Sequence, residues 1–80
     1  MPDDRTPVPA TPVPTPRYER VVAEASRIAA DLGHGYVGVE HLFLAILRDP
    51  DSVPTQVLAE IIALADLDAR LSEVMRTYGD

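Results

Sequence analysis

The chain is predicted to be all-α, a small four-helix fold joined by short loops. Three features of the sequence say so. Apolar residues recur at helical spacing along three stretches, no stretch alternates with the period of two that a strand needs, and capping residues, glycine or proline bound each stretch. Six of the eight prolines crowd into residues 1–16, which leaves residues 17–80 to build the core. That is near the smallest size at which a hydrophobic core sustains itself.

Residues 6–16 read TPVPATPVPTP, close to a repeat of TPVP. Proline fixes φ and removes a backbone donor, so residues 1–16 are expected to be a disordered, extended polyproline tail. Helix 1 is expected to start at Thr15-Pro16, a capping hydroxyl followed by proline at the first helical position. Tyr18, Val21, Val22, Ala25, Ile28, Ala29 and Leu32 share one stripe, and Gly33 is placed to end the helix.

Helix 2 is expected from Gly38-Val39 to Arg48 or Asp49, stopped by Pro50. Its run Leu42-Phe43-Leu44-Ala45-Ile46-Leu47 leaves no polar side, and a helix apolar all round must be covered all round. Asp51 or Ser52 can cap helix 3, with Pro54 in its first turn and Val57, Leu58, Ile61 and Ile62 as its stripe. Asp66 is expected to cap helix 4, where Leu67, Leu71, Val74, Met75 and Tyr78 recur, and Gly79 to close it. Three neighbouring helices can hardly enclose helix 2, so apolar surface at Leu42, Phe43, Leu44, Ile46 and Leu47 is expected to drive self-association.

Composition excludes several functions. Net charge is −6, and all seven basic residues are arginines scattered along the chain, so a phosphate backbone would be repelled. Cysteine is absent, so there is neither a disulfide framework nor a thiolate metal site. No apolar run approaches the ~20 residues that span a bilayer. The first residues, MPDDRTP, lack the pattern of a secretory signal, and a cytoplasmic protein is expected.

Residues 33–47, GHGYVGVEHLFLAIL, hold the chemistry-bearing groups. His34, Glu40 and His41 offer at most three ligands without HExxH or cysteine support, so no metal is expected. His41 beside an apolar run reads as a structural histidine that holds the preceding loop, with a backbone carbonyl near Tyr36 as its partner. Ser26 and Ser72 fall inside helices and no G-x-S-x-G elbow exists, so the chain is not expected to be an enzyme or to need a cofactor. So few residues also leave little room for the pocket of about 300 Å³ or more typical of small-molecule sites.

Leu32-Gly33-His34, then Tyr36-Val37-Gly38-Val39-Glu40-His41-Leu42 and Leu44-Ala45-Ile46-Leu47, resemble one repeat of the Clp N-terminal domain of ClpA-, ClpC- and ClpB-type unfoldases. The likeness continues through Asp49-Pro50-Asp51-Ser52, Val57-Leu58 and Asp66-Leu67-Asp68-Ala69, and so covers Arg17 to Tyr78. It implies a single repeat over residues 17–80, half of the usual pseudo-twofold pair, which a homodimer could rebuild. It implies a protein-binding role beside a Clp unfoldase, its substrates or adaptors, with no Walker A motif and hence no ATPase module in this chain. Some ClpC-type domains recognise phosphorylated arginine, and the matching glutamate is Glu40. Glu40 and Tyr18 are therefore the candidate partner-binding residues, with Gly33, Gly38 and His41 as the structural motif. The resemblance also marks Val39, where the family usually has Thr or Ser, as the loss of a hydroxyl N-cap. A second resemblance, to acyl carrier proteins, rests on Asp51-Ser52-Val53 and would make Ser52 a phosphopantetheine site. A purely structural oligomerisation module is the remaining alternative.

Overall fold

A computed structural model describes residues 11–78, and of Tyr78 only the backbone. It contains four helices: α1 (Pro16–Asp31), α2 (Val39–Leu47), α3 (Val53–Ala59) and α4 (Leu64–Tyr78). The greater part of the proline-rich tail, residues 1–10, and Gly79 lie outside the described residues. Residues 12–15 form neither helix nor strand, and Thr15 has the polyproline-like φ −79° and ψ 161°.

α1 begins where its cap chemistry dictates. The Thr15 hydroxyl accepts the Tyr18 N–H at 3.1 Å, and Pro16 fills the first helical position, where no donor is needed. Ala25, Ile28 and Ala29 are buried, with Val21 and Leu32 partly so. Tyr18 and Val22, assigned to the same stripe by spacing, are exposed, since in these turns it is Val21 that packs against the core.

α2 is the central element, and its widest contact is with α1. Ala25 and Ala29 on α1 and Ala45 on α2 are all but inaccessible, so the small side chains sit in the packed interior with Ile28, Leu44, Leu47 and Met75. α3 and α4 pack on other sides of α2. His41, Leu44, Ala45 and Leu47 are therefore buried within the chain, Leu42 and Ile46 are half-buried, and Val39 and Phe43 face outward. Leu44 and Leu47 cannot also form an intermolecular surface, since the chain's own core already covers them. The apolar run is covered on most of its circumference by three helices, which spacing alone made doubtful.

Ser52, not Asp51, caps α3, its hydroxyl accepting the Thr55 N–H at 3.4 Å. Ser52 and Thr55 are both buried, hydrogen-bond each other, and reach the Ile46 carbonyl near the end of α2. The helix closes at Ala59, so Ile61 lies in the following turn and is 72% exposed. α4 starts two residues before the expected cap: Asp66 occupies the third helical position, where its charge still favours the helix N-terminus. Leu64 thereby joins Leu67, Leu71 and Met75 against the core.

Two ion pairs tie the C-terminal end of α2 to its neighbours. Arg17 at the start of α1 donates to Asp49 at 2.9 Å. Arg48, the C-cap of α2, reaches α4 in a two-pronged pair with Asp68, at 2.8 and 3.0 Å, and Ser72 donates to the same carboxylate at 3.2 Å. The Arg48 guanidinium holds the Asp68 carboxyl below its ordinary 3.8, against burial, which pushes the other way. A depressed pKa contributes stability above the ordinary value and loses it as pH falls through the folded one.

The burial pattern predicts a contrast within one helix. Leu44→Ala should cost about 3 kcal/mol in urea unfolding, whereas Phe43→Ala, 43% exposed in the native chain, should cost no more than about 1 kcal/mol. For the ion pair, Asp68→Asn should cost less than about 1 kcal/mol at neutral pH. It should also flatten the loss of stability below the ordinary carboxylate range, measured by thermal unfolding across an acid series.

Candidate functional site

The turn between α1 and α2 is built from Gly33 outward. Gly33 has φ +76°, a left-handed conformation in which a side chain would crowd the following carbonyl. The Gly33 N–H then donates to the Ala30 carbonyl at 3.0 Å and the His34 N–H to the Ala29 carbonyl at 2.9 Å. These paired bonds form a Schellman turn, which reverses the chain and carries His34 back towards α2.

His41, the third residue of α2, is buried and meets His34 there. Its Nδ1 accepts the Gly38 N–H at 2.8 Å, satisfying the N-cap backbone as a Glu or Gln does in a capping box. An accepting Nδ1 carries no proton. Neutral His41 is therefore protonated on Nε2 and donates across 2.8 Å to His34 Nδ1. The Tyr36 ring stacks on His34 at 5.1 Å, nearly parallel, and meets His41 edge-on at 5.4 Å. The backbone carbonyl expected as the partner of His41 is replaced by an N–H and a second imidazole.

Beside this cluster lies a half-open cavity of about 270 Å³, near the lower size of a ligand pocket. The turn supplies His34 and Tyr36, α2 supplies Glu40 and His41, and α4 supplies the apolar wall of Leu71, Val74 and Met75. So short a chain makes this space because α4 faces the α1–α2 turn across the cluster. Glu40 is exposed at the cavity and makes no ion pair among the described residues. Its carboxylate folds over Gly38, where a Cβ would stand 2.5 Å from Oε1. Glycine at the N-cap thus leaves room for the carboxylate.

Several expected roles change place. Val39 is the first helical residue, so the cap belongs to Gly38 and a hydroxyl at 39 would lie one position inside it. Tyr18 does not line the cavity, and α1 separates it from the His34 turn by about 20 Å at 1.5 Å per residue. Ser52 is buried and engaged by Thr55 and Ile46, which overturns the carrier reading: its hydroxyl is a helix cap and is closed to a prosthetic group. Among the described residues no group of three or more His, Cys, Asp or Glu side chains is placed to hold a metal ion. None of their helices is long and apolar enough to cross a membrane. Spacing missed the role of Tyr36 and of Leu71, Val74 and Met75 as cavity walls, although helical periodicity had already grouped the last three.

The family model described as the Clp repeat (R) N-terminal domain matches residues 2–76. The chain belongs to this family. The Clp repeat here is 42% identical over 66 residues to the ATP-dependent Clp protease ATP-binding subunit ClpA homolog of Guillardia theta, covering 82% of this chain and 8% of that protein. It is 38% identical over 66 residues to the chloroplastic chaperone protein ClpC1 of Oryza sativa subsp. japonica, covering 82% of this chain and 7% of the relative. A ClpA homolog of Porphyra purpurea is 33% identical over the same length, with 82% and 8% covered. The chain thus spans less than a tenth of the length of these relatives. No solved structure matches it.

Proposed function

We propose that this Clp repeat is a non-catalytic protein-interaction module, and that its cavity takes an arginine-bearing segment of a protein partner. The observation that supports the reading is the Glu40 carboxylate, which makes no ion pair among the described residues, standing beside a stacked aromatic pair and an apolar wall. A guanidinium satisfies both features: it forms two parallel bonds to a carboxylate and lies flat on an aromatic face. Leu71, Val74 and Met75 would receive an apolar neighbour in the same segment. The net charge of −6 favours such a partner at longer range. The reaction-prone hydroxyls point away from catalysis, since Ser52, Thr55 and Ser72 are buried and committed to structural bonds. Acting in the cytoplasm on a Clp unfoldase or its clients, the module would be an adaptor, a substrate-recognition accessory or a decoy.

A second reading, self-association, is favoured by the outward Val39 and Phe43 on α2 and Val53 and Val57 on α3. Leu42 and Ile46, half-buried, would complete that surface.

Calorimetric titration with a short arginine peptide, its phosphoarginine form and its alanine form tests the first reading. The arginine-bearing forms should bind and the alanine form should not, with Glu40→Gln weakening binding tenfold or more, about 1.4 kcal/mol. Equal affinity of Glu40→Gln and the native chain would remove the Glu40 site. Light scattering at micromolar concentration tests the second. A mass of 8.7 kDa removes the dimer, and twice that mass supports it.

A further inference from the structure

We propose that the His34–His41 pair is a proton-operated latch on the Glu40 cavity, closed when both rings are neutral and released by acid. The regulated ligand rests on the function proposed above; the latch itself rests only on the geometry of the pair.

Two imidazoles offer four nitrogens. In the neutral pair one proton occupies His41 Nε2, because Nδ1 of that ring accepts the Gly38 N–H. His34 Nδ1 accepts this proton's hydrogen bond, which leaves the proton of His34 on its own Nε2. The two nitrogens still able to take a proton are then His41 Nδ1 and His34 Nδ1, and both already serve as acceptors. Any added proton therefore sets two donors against each other across 2.8 Å. On His41 it breaks the N-cap bond of α2; on His34 it breaks the link to the α1 turn. No third arrangement of the protons avoids the conflict.

Among the residues lining the cavity, only Glu40 could compensate an added positive charge. α4 presents Leu71, Val74 and Met75 to the cavity and no charged group. α1 contributes the Ala29 and Ala30 carbonyls, already accepting from His34 and Gly33, while Asp31 at its end pairs with Arg27 on the exposed face. The turn contributes the Tyr36 phenol ring, and α2 the exposed Glu40. His41 also sits in the first turn of α2, where the helix dipole disfavours a cation. Among the described residues lining the cavity Glu40 is the single anionic group, and a bound guanidinium would occupy it.

An added proton thus opens the latch, because both nitrogens that could take it already accept a hydrogen bond. The latch is closed while both rings are neutral and is lost when either is protonated. His34, Tyr36 and His41 form one side of the cavity, so release dismantles the wall that faces α4. By reciprocity, a cationic ligand seated at Glu40 resists protonation of the pair.

Nuclear magnetic resonance of the ¹⁵N-labelled full chain between pH 8 and 5 reads the latch without any ligand. Long-range ¹H–¹⁵N spectra should show His41 protonated on Nε2 at pH 8. Protonation of His41 should coincide with tenfold or greater loss of Gly38 amide protection, and protonation of either ring with a shift of the Tyr36 ring signals. His41→Gln keeps both bonds, since its amide oxygen can accept from Gly38 and its NH₂ can donate to His34. Gly38 protection in that variant should not depend on pH. A His41 proton on Nδ1 at pH 8, or titration of His41 with Gly38 protection unchanged, would overturn the latch, and the native chain alone decides this if the variant does not fold. Affinity for the arginine peptide should fall at least tenfold over the same range. If the peptide fails to bind at any pH while Gly38 responds as described, the latch stands and the Glu40 reading fails.

Discussion

The hydrogen bond from the Gly38 N–H to His41 Nδ1, continued from His41 Nε2 to His34, decides where α2 begins and how the chain enters it. α2 has little else to start on. Its N-cap has no side chain, its first residue is valine, and six apolar residues follow His41. A helix of nine residues with such a terminus is marginal unless its first donors are satisfied and its sides are covered. The buried imidazole meets the first need from within the helix, and it does so while facing the core. That leaves Glu40, which lines the same cavity, without capping duty.

Covering the sides falls to packing. Alanines on α1 and α2 bring Ile28, Leu44 and Leu47 into the same core, and Met75 of α4 closes it. The polar groups caught inside this small core are all in use. No buried side-chain nitrogen or oxygen lacks a partner among the described residues, and Ser52, Thr55 and Ser72 each join two elements. The chain therefore obtains from hydroxyls and imidazoles part of the cohesion that a larger domain draws from apolar area.

Much of the fold is legible in the residues. Thr15-Pro16 and Gly33 mark both ends of α1, because an N-cap hydroxyl and a left-handed glycine each act locally. Helix boundaries depart from the sequence reading where tertiary packing outweighs local signals: α4 starts at Leu64, which gains a place against the core, and α3 stops before Ile61. Composition marks the apolar run of α2 but cannot show that Leu44 and Leu47 turn inward while Phe43 turns out. Glu40 is legible as a carboxylate at a helix start. Its neighbours are not, since Tyr36 and Met75 lie far apart in sequence and meet only because α4 crosses beside the turn. Nor can spacing alone show that His34 and His41, seven residues apart, bond directly.

Capping, burial and charge converge on one surface, the wall shared by the α1–α2 turn, the first turn of α2 and α4. A residue-resolved map of amide shifts on adding the arginine peptide tests that surface most directly. Shifts confined to His34, Tyr36, Glu40, His41, Leu71, Val74 and Met75 are expected. Shifts at Phe43, Val57 and Ile61, with the cavity residues unmoved, would contradict the cavity site and assign binding to the outward face of α2 and α3.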